Sequence, residues 1–535
     1  MENEGSALVD KIERRVWWLP RVRIEHIWLS LPILLVAGFG FLLKVRLVDF
    51  WWHLKAGEII VTTRSLPRTE VFSFTAAGKL FILQNWLVEI LYYALYRVGG
   101  LQLIVFINAA LLVLALVPIY ALCREATTNL RLSVLAALLP AVSLLYFGSV
   151  RSQVFSFILF GVYYWVLSGY RNQRKDWLWT LPVIMVLWVN LHGAFVLGLG
   201  LIIIVLSCEA LRRIIQGSVS SVLSVGELVR LAVFLGLTGL ATLANPEVHR
   251  IYGYVYTVAG TPHSRSQIVE WQVPRVDDAE GIILFYGPFF LTLLALYYSR
   301  NKPDLTELAL FLAFAIFALM AVRNAVWFVL ISAPILARYL PGIDWMGLLE
   351  PLRRFRLVDS LVGWMARRRS AEVPIRYRLN RQIAVLLLTI IVLVSPWVYP
   401  HLGNPAFGNT LWEKSTPVAA MDYIKQQGLQ GNIFHPQIYG DYLIWRLWPE
   451  QHSFIDGRVH VFDDALIRNY RLVVRDTHWE DHLAQYGIKY LLLSKSEEDN
   501  QMMIETARAS SAWRVLYEDD ESVLFEKVDP SLPVH

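Results

Sequence analysis

Residues 26–54 read HIWLSLPILLVAGFGFLLKVRLVDFWWHL. The part from His26 to Lys44 is almost wholly apolar and about as long as a helix must be to cross a hydrocarbon core. Lys11, Arg14, Arg15, Arg21 and Arg23 precede it, and no small-residue cleavage site follows. The run is therefore expected to be an uncleaved first span, with residues 1–25 cytoplasmic. Just beyond it stands Asp49, in an aromatic setting where a carboxylate is costly to desolvate unless paired or functional. His53, four residues on, shares its face if the segment is helical.

The whole chain has the same character. Of its 535 residues 56% are hydrophobic and 17% charged, too little polar surface to cover a globule of that size. Apolar segments near 26–44, 101–122, 132–148, 153–169, 177–191, 194–211, 229–245, 282–299, 305–321, 325–340 and 383–399 predict about eleven spans. Basic residues fall in alternate connections: Arg124/Arg131, Arg171/Arg174/Lys175, Arg212/Arg213, Arg300/Lys302 and the arginine-rich loop 341–382. The net charge of +5 thus reports topology, plus attraction to anionic lipid headgroups, rather than nucleic-acid binding. Cys123 and Cys208 lie at cytoplasmic helix ends, so the external parts have neither a disulfide framework nor a cysteine metal site.

The expected fold is a mainly α polytopic membrane helix bundle over 26–399, with external loops 45–100 and 245–281. A small external α/β domain occupies 400–535, giving a multi-pass inner-membrane protein with a periplasmic or extracellular C-terminus. In that domain a helix is expected near 416–427, with strands at NIFH, at YLLLS (490–494) and near 522–527. The aromatic residues of loop 45–100, among them Trp51, Trp52, Phe72, Phe81, Tyr92 and Tyr93, suit short helices at headgroup level.

Polar candidates gather at the external helix ends. Arg151, Arg323 with Asn324, and Asn190 with His192 each sit on a different span. Arginine grips phosphate through a bidentate fork, whereas a lone residue of this kind serves equally as a helix-end anchor. Together they describe a polar cavity opening outward. Glu89, on an apolar stretch, would have its protonation altered by burial; it suits acid–base work or pairing with Arg151 or Arg323. Glu270–Trp271, His249 and His263 belong to the loop that can cover the cavity, and Asp456–Arg458 reads as a turn with a local ion pair. The G-x-x-x-x-G-K-[ST], H-E-x-x-H and G-x-S-x-G signatures do not occur.

DFWWHL from Asp49, Gly57, Pro67, FSFT from Phe72, Gly78 and NWLVE ending at Glu89 resemble the first external loop of C-type glycosyltransferases. These include the protein O-mannosyltransferases, the aminoarabinose transferases of lipid A and uncharacterised bacterial relatives. The resemblance continues through RSQ at Arg151, WVNLHG ending at Gly193, ANP from Ala244, IVEW ending at Trp271, Arg323–Asn324, GDYLIW from Gly440 and FIDGR ending at Arg458. It implies transfer of a sugar from a polyprenyl-phosphate donor to a glycan, lipid or protein acceptor at the external face. Asp49 would be the catalytic base, Glu89 a second acidic residue and the arginines the donor-phosphate site. No D-x-D motif stands in the first loop, so a divalent cation is unsupported as a cofactor. Two other classes remain open. A transporter or flippase would show internal repeats or mid-membrane charge, and a non-enzymatic envelope scaffold would keep Asp49 and Arg151 apart.

Overall fold

The computed structural model describes residues 22–217, 219–260, 269–345, 354, 360, 377–403 and 408–528. The basic residues before Val22, His263 and most of loop 341–382 lie outside the described residues. Helices with apolar side chains all round have no aqueous face and must pack against each other or against lipid. Such helices run over Ile24–Leu42, Trp86–Ala126, Leu130–Tyr146, Gln153–Gln173, Thr180–Leu191, Phe195–Gln216, Val225–Ala241, Ala279–Tyr298, Leu305–Met320, Ala325–Tyr339 and Tyr377–Leu393. Every expected span overlaps one of them. Six are long and apolar enough to cross a membrane, and Leu130–Tyr146, Thr180–Leu191 and Leu305–Met320 are shorter apolar helices. The chain is therefore a multi-pass, mainly helical membrane protein, while the count of eleven rests on the sequence alone.

The helix Trp86–Ala126 breaks at Gly99 and Gly100, just ahead of the span expected from residue 101. Gly100 has φ 61°, ψ −157°, a region open essentially only to glycine. The C-terminal part carries a four-stranded sheet, β1 (Asn432–Phe434), β2 (Ile488–Ser494), β3 (Trp513–Glu518) and β4 (Ser522–Lys527), in the order β1-β2-β4-β3. The first pair is parallel and the others antiparallel, with Leu492 opposite Leu524 in the register. Helices Val418–Gln426, Gln437–Leu447, Asp464–Arg475, Trp479–Leu483 and Glu498–Ala509 lie in the same segment.

Rings of the aromatic loop are buried against protein instead of lying open to headgroups. Trp52, Phe72 and Phe81 are buried in one core with Phe434, Phe454 and Phe525 of the C-terminal domain. Phe50, Trp51, Tyr92 and Tyr93 share another with Tyr439, Tyr442 and Leu443. Burying large rings against protein removes more apolar surface from water than leaving them half-wet at an interface. Residues 45–98 and the C-terminal segment thus fold as a joint module.

Within this module the helix Phe50–Thr63 lies directly on Trp86–Val98. A Cβ on Gly57 would sit 2.1 Å from the Glu89 carbonyl oxygen. Gly57→Ala should therefore push the two helices apart and cost about 1–3 kcal/mol, typical of overpacking. Thermal melting of the detergent-purified protein checks this, and an unchanged melting temperature would contradict the packing.

At the far end of Gln153–Gln173, roughly 30 Å from its start at 1.5 Å per residue, the basic residues do more than mark topology. Arg171 and Arg212 both bond the buried Glu209 carboxylate, at 2.6 and 2.7 Å, and Arg338 pairs with Glu307. A cavity of about 170 Å³ opens beside them, but Arg171 and Arg338 in its wall are already ion-paired.

Candidate functional site

Beyond the first helix the chain runs extended along the C-terminal module. The N–H of Val45 donates to Leu411 O at 2.8 Å, that of Leu47 to Glu413 Oε2 at 3.1 Å, and that of Asp49 to Asp441 Oδ2 at 2.5 Å. Asp49 itself has φ 75°, ψ −60°. With Phe50 N–H donating to Val48 O at 3.1 Å, it is the centre of a γ-turn in its rare, strained form. Only then does the helix Phe50–Thr63 begin.

The turn aims the Asp49 carboxylate at Arg151. Arg151 Nε lies 2.9 Å from Asp49 Oδ2, an ion pair rather than an aligned hydrogen bond. Arg151 Nη1 donates to both oxygens of Glu270, at 3.1 and 3.0 Å, and Arg46 reaches Glu270 Oε1 at 3.3 Å. Arg323 stacks on Trp271, its guanidinium 4.5 Å from the ring centre, and acts electrostatically on Glu270. Burial opposes the charge on Glu270, but Arg151, Arg323 and Arg46 outweigh it and hold the carboxyl below its ordinary range. Three guanidinium groups thus face two carboxylates. The Asp49, Arg151 and Glu270 side chains are 30, 20 and 24% exposed, so the cluster is open to an incoming ligand.

The other expected residues divide. His192 lies within electrostatic reach of Arg323, and its Nδ1 contacts Ser156 Oγ at 2.9 Å. Asn324 stands beside Arg323 and donates to Phe317 O at 3.0 Å. Asn190 is engaged on both sides of its amide: Oδ1 accepts from Trp86 and Asn245, and Nδ2 donates to Val186 O and Ala244 O. That places it as a brace for Trp86 rather than facing the arginines. Glu89 pairs with neither Arg151 nor Arg323. It is fully buried and bonds His53 Nδ1 at 3.1 Å, on the covered side of Phe50–Thr63. Its Oε2 has no partner among the described residues. Asp456–Arg458 forms the expected local pair and more, because Arg458 also grips Glu70 at 2.6 and 3.0 Å.

Arg46, Asp441, Tyr254 and His460 were not singled out by the sequence. Tyr254 meets His460 edge to face at 5.2 Å, and the Asp49 charge reaches both. Burial, then the Arg458 charge, lowers the His460 imidazole to about 4, so it is neutral near pH 7. Asp441 accepts from Gly457 N–H at 2.9 Å as well as from Asp49. Burial, then the Asp456 and Asp49 charges, pushes its carboxyl well above the usual range against those two N–H groups. Among the described residues no group of three or more His, Cys, Asp or Glu is arranged to hold a metal ion.

Neither a family model nor a curated protein matches the chain. Solved structures do. The archaeal oligosaccharyltransferase AglB from Archaeoglobus fulgidus, described in complex with an inhibitory peptide and a dolichol-phosphate, matches with a TM-score of 0.51. That match is 12% identical and covers 98% of this chain and 75% of that one. An Archaeoglobus fulgidus oligosaccharyltransferase in the apo form scores 0.51 at 13% identity, over 95% of this chain and 75% of that one. The fold is that of the C-type glycosyltransferases. ArnT from Cupriavidus metallidurans bound to undecaprenyl phosphate scores 0.46 at 12% identity, over 95 and 99% of the two chains. In this C-type fold the charged cluster sits at the bundle end that carries the C-terminal domain. At such identities the likeness establishes the fold alone.

Proposed function

We propose that this protein is a membrane glycosyltransferase that moves a sugar from a polyprenyl-phosphate donor to an acceptor at the non-cytoplasmic face. The observation that carries this reading is the Asp49–Arg151–Glu270 cluster, flanked by Arg46 and Arg323. In the alternation of basic loops this end of the bundle is external, so residues 1–25 are cytoplasmic and the C-terminal domain is periplasmic or extracellular. The cluster supplies both parts of the chemistry. Asp49 accepts the proton of the acceptor's nucleophilic group as that group attacks the sugar's anomeric carbon. The carbon–oxygen bond to phosphate breaks, and its electron pair leaves on the phosphate, whose growing charge Arg151, Arg323 and Arg46 take up. The Glu270 carboxylate, spread over Arg151 and Arg46, occupies the kind of place a phosphate oxygen pair would take. A phosphate arriving at Arg151 competes for the guanidinium that holds Asp49, and so frees the base. His192 and Asn324 border the arginines, while His53 and Glu89 support the helix that follows Asp49. The scaffold alternative called for Asp49 and Arg151 to be apart, and they are in contact.

Arg151→Ala tests the reading. Loss of a charge-assisted contact of about 1.5–3 kcal/mol predicts a donor KM roughly 10- to 100-fold higher. Arg151→Lys should not restore it, because an ammonium cannot bridge two acceptors in the fixed guanidinium geometry. Transfer from a panel of undecaprenyl-phosphate-linked sugars reads the effect, and an unchanged KM would contradict the phosphate role.

A further inference from the structure

We infer that Asp441, on the helix Gln437–Leu447, is a positioning residue that fixes the backbone of Asp49, so that the C-terminal domain completes the active site. The inference rests on the reading of Asp49 as the base.

The γ-turn at Asp49 is a conformation a non-glycine residue adopts only when its surroundings impose it. Here the surroundings are specific. Val45, Leu47 and Asp49, every second residue, each give their N–H to the C-terminal module, so the chain is pinned up to the turn itself. The last pin is Asp441. Its Oδ2 takes the Asp49 N–H and its Oδ1 takes the Gly457 N–H at 2.9 Å. A carboxylate can accept on both oxygens, whereas an amide would set an NH2 donor against one of those N–H groups.

The site is built around this group. Asp441 is 1% exposed, and among the described residues it forms no ion pair within salt-bridge distance. A buried carboxyl group held by N–H groups alone is an expensive way to fill space; a residue that only packed there would be better apolar. Its neighbours close in to the limit. A Cβ on Gly457 would lie 2.6 Å from Asp441 Oδ2 and 2.9 Å from Val48 Cγ1, and one on Gly440 would lie 2.2 Å from Ile455 O. The two glycines let the helix, the 455–458 turn and the Asp49 turn meet at one carboxylate.

The role predicts a kcat defect without a donor-binding defect. Misplacing a reacting group by about 1 Å costs roughly 100-fold in rate. Asp441→Ala should therefore lower kcat by about 100-fold while the KM for an undecaprenyl-phosphate sugar and the affinity for undecaprenyl phosphate alone stay unchanged. Asp441→Asn, nearly isosteric, should lose less, since one of the two acceptor contacts survives. Gly457→Ala reaches the same end without touching the charge, by displacing the carboxylate. These measurements use the full-length protein in lipid nanodiscs, with rates expressed per folded molecule. A wild-type kcat in Asp441→Asn and Gly457→Ala, alongside an inactive Asp49→Asn, overturns the inference and leaves the function standing. An active Asp49→Asn instead overturns the function. A fall in melting temperature with full kcat per folded molecule marks Asp441 as merely structural and also overturns it.

Discussion

Asp49→Asn is expected to reduce sugar transfer by about 10²- to 10⁴-fold, the range for loss of a positioned general base. The substitution is chosen to change little else. Asparagine is among the few side chains that tolerate positive φ, so the turn at φ 75° is retained, whereas Asp49→Ala would confound lost chemistry with a relaxed backbone. The Asp49 N–H still meets Asp441, because that bond is made by the main chain. Arg151 keeps both contacts to Glu270, so no guanidinium is stranded without a counter-charge. Removing one negative charge beside three arginines should leave undecaprenyl phosphate bound as tightly as before, or tighter. The expected signature is thus an inactive, folded protein that still takes up the lipid phosphate. Full activity in this variant removes Asp49 as the base and with it the proposed mechanism.

The C-terminal domain supports the site through contacts between residues 366 to 392 positions apart. Glu413, Asp441 and Arg458 reach Leu47, Asp49 and Glu70, and three aromatic rings of the first loop, Trp52, Phe72 and Phe81, lie 4.8–5.6 Å from the Arg458 guanidinium. Contacts between segments so far apart in the chain form only after the bundle between them has brought them together. A truncation at the end of the last apolar helix would then remove part of the base's support, not a separate binding module.

What the sequence made legible follows from periodicity and charge. Apolar runs marked the helices, because a span has one length scale and one composition. Alternating basic loops then placed Asp49, Arg151, His192 and Arg323 at the same end; in the structure Arg151 joins Asp49 to Glu270 with Arg323 close by, while His192 bonds Ser156. The aromatic loop misled, because ring content alone does not distinguish a headgroup setting from burial under another domain. Glu89 misled for a related reason. A lone carboxylate in an apolar stretch announces that it has a partner but not which one, and His53 supplied it. Asp441 and Arg458 were visible as GDYLIW and FIDGR, yet their partners lie nearly four hundred positions away, beyond any local pattern. Arg46 was hidden by looking like an ordinary flanking residue of the first span.

Arg458→Met should be the most destabilising single change in the C-terminal module. Arg458, Glu70 and Asp456 are all fully buried, and the guanidinium makes four charged contacts of 2.6–3.0 Å to the two carboxylates. Methionine matches much of the side-chain volume but leaves two carboxylates without a cation. Breaking a buried network in this way costs about 3–5 kcal/mol, against a total stability of about 5–15 kcal/mol for a typical domain. The triple variant Arg458→Met, Glu70→Gln, Asp456→Asn should recover part of that loss, since amides of the same shape carry no buried charge. The pH dependence separates this cause from simple loss of packing. In the wild type burial raises the Asp456 carboxyl, but Arg458 outweighs it and holds it below the ordinary range. Asp456 therefore contributes stability above its unfolded pKa, and that contribution is lost as pH falls through the folded value. Without Arg458 burial alone acts on Asp456. Its folded pKa then lies above the unfolded one, so stability is greatest in acid and is lost as pH rises through the folded value. Melting temperatures of the two proteins across pH 4–8 should accordingly converge toward acid. A deficit of constant size at every pH would mean that volume, and not the stranded charge, accounts for the loss.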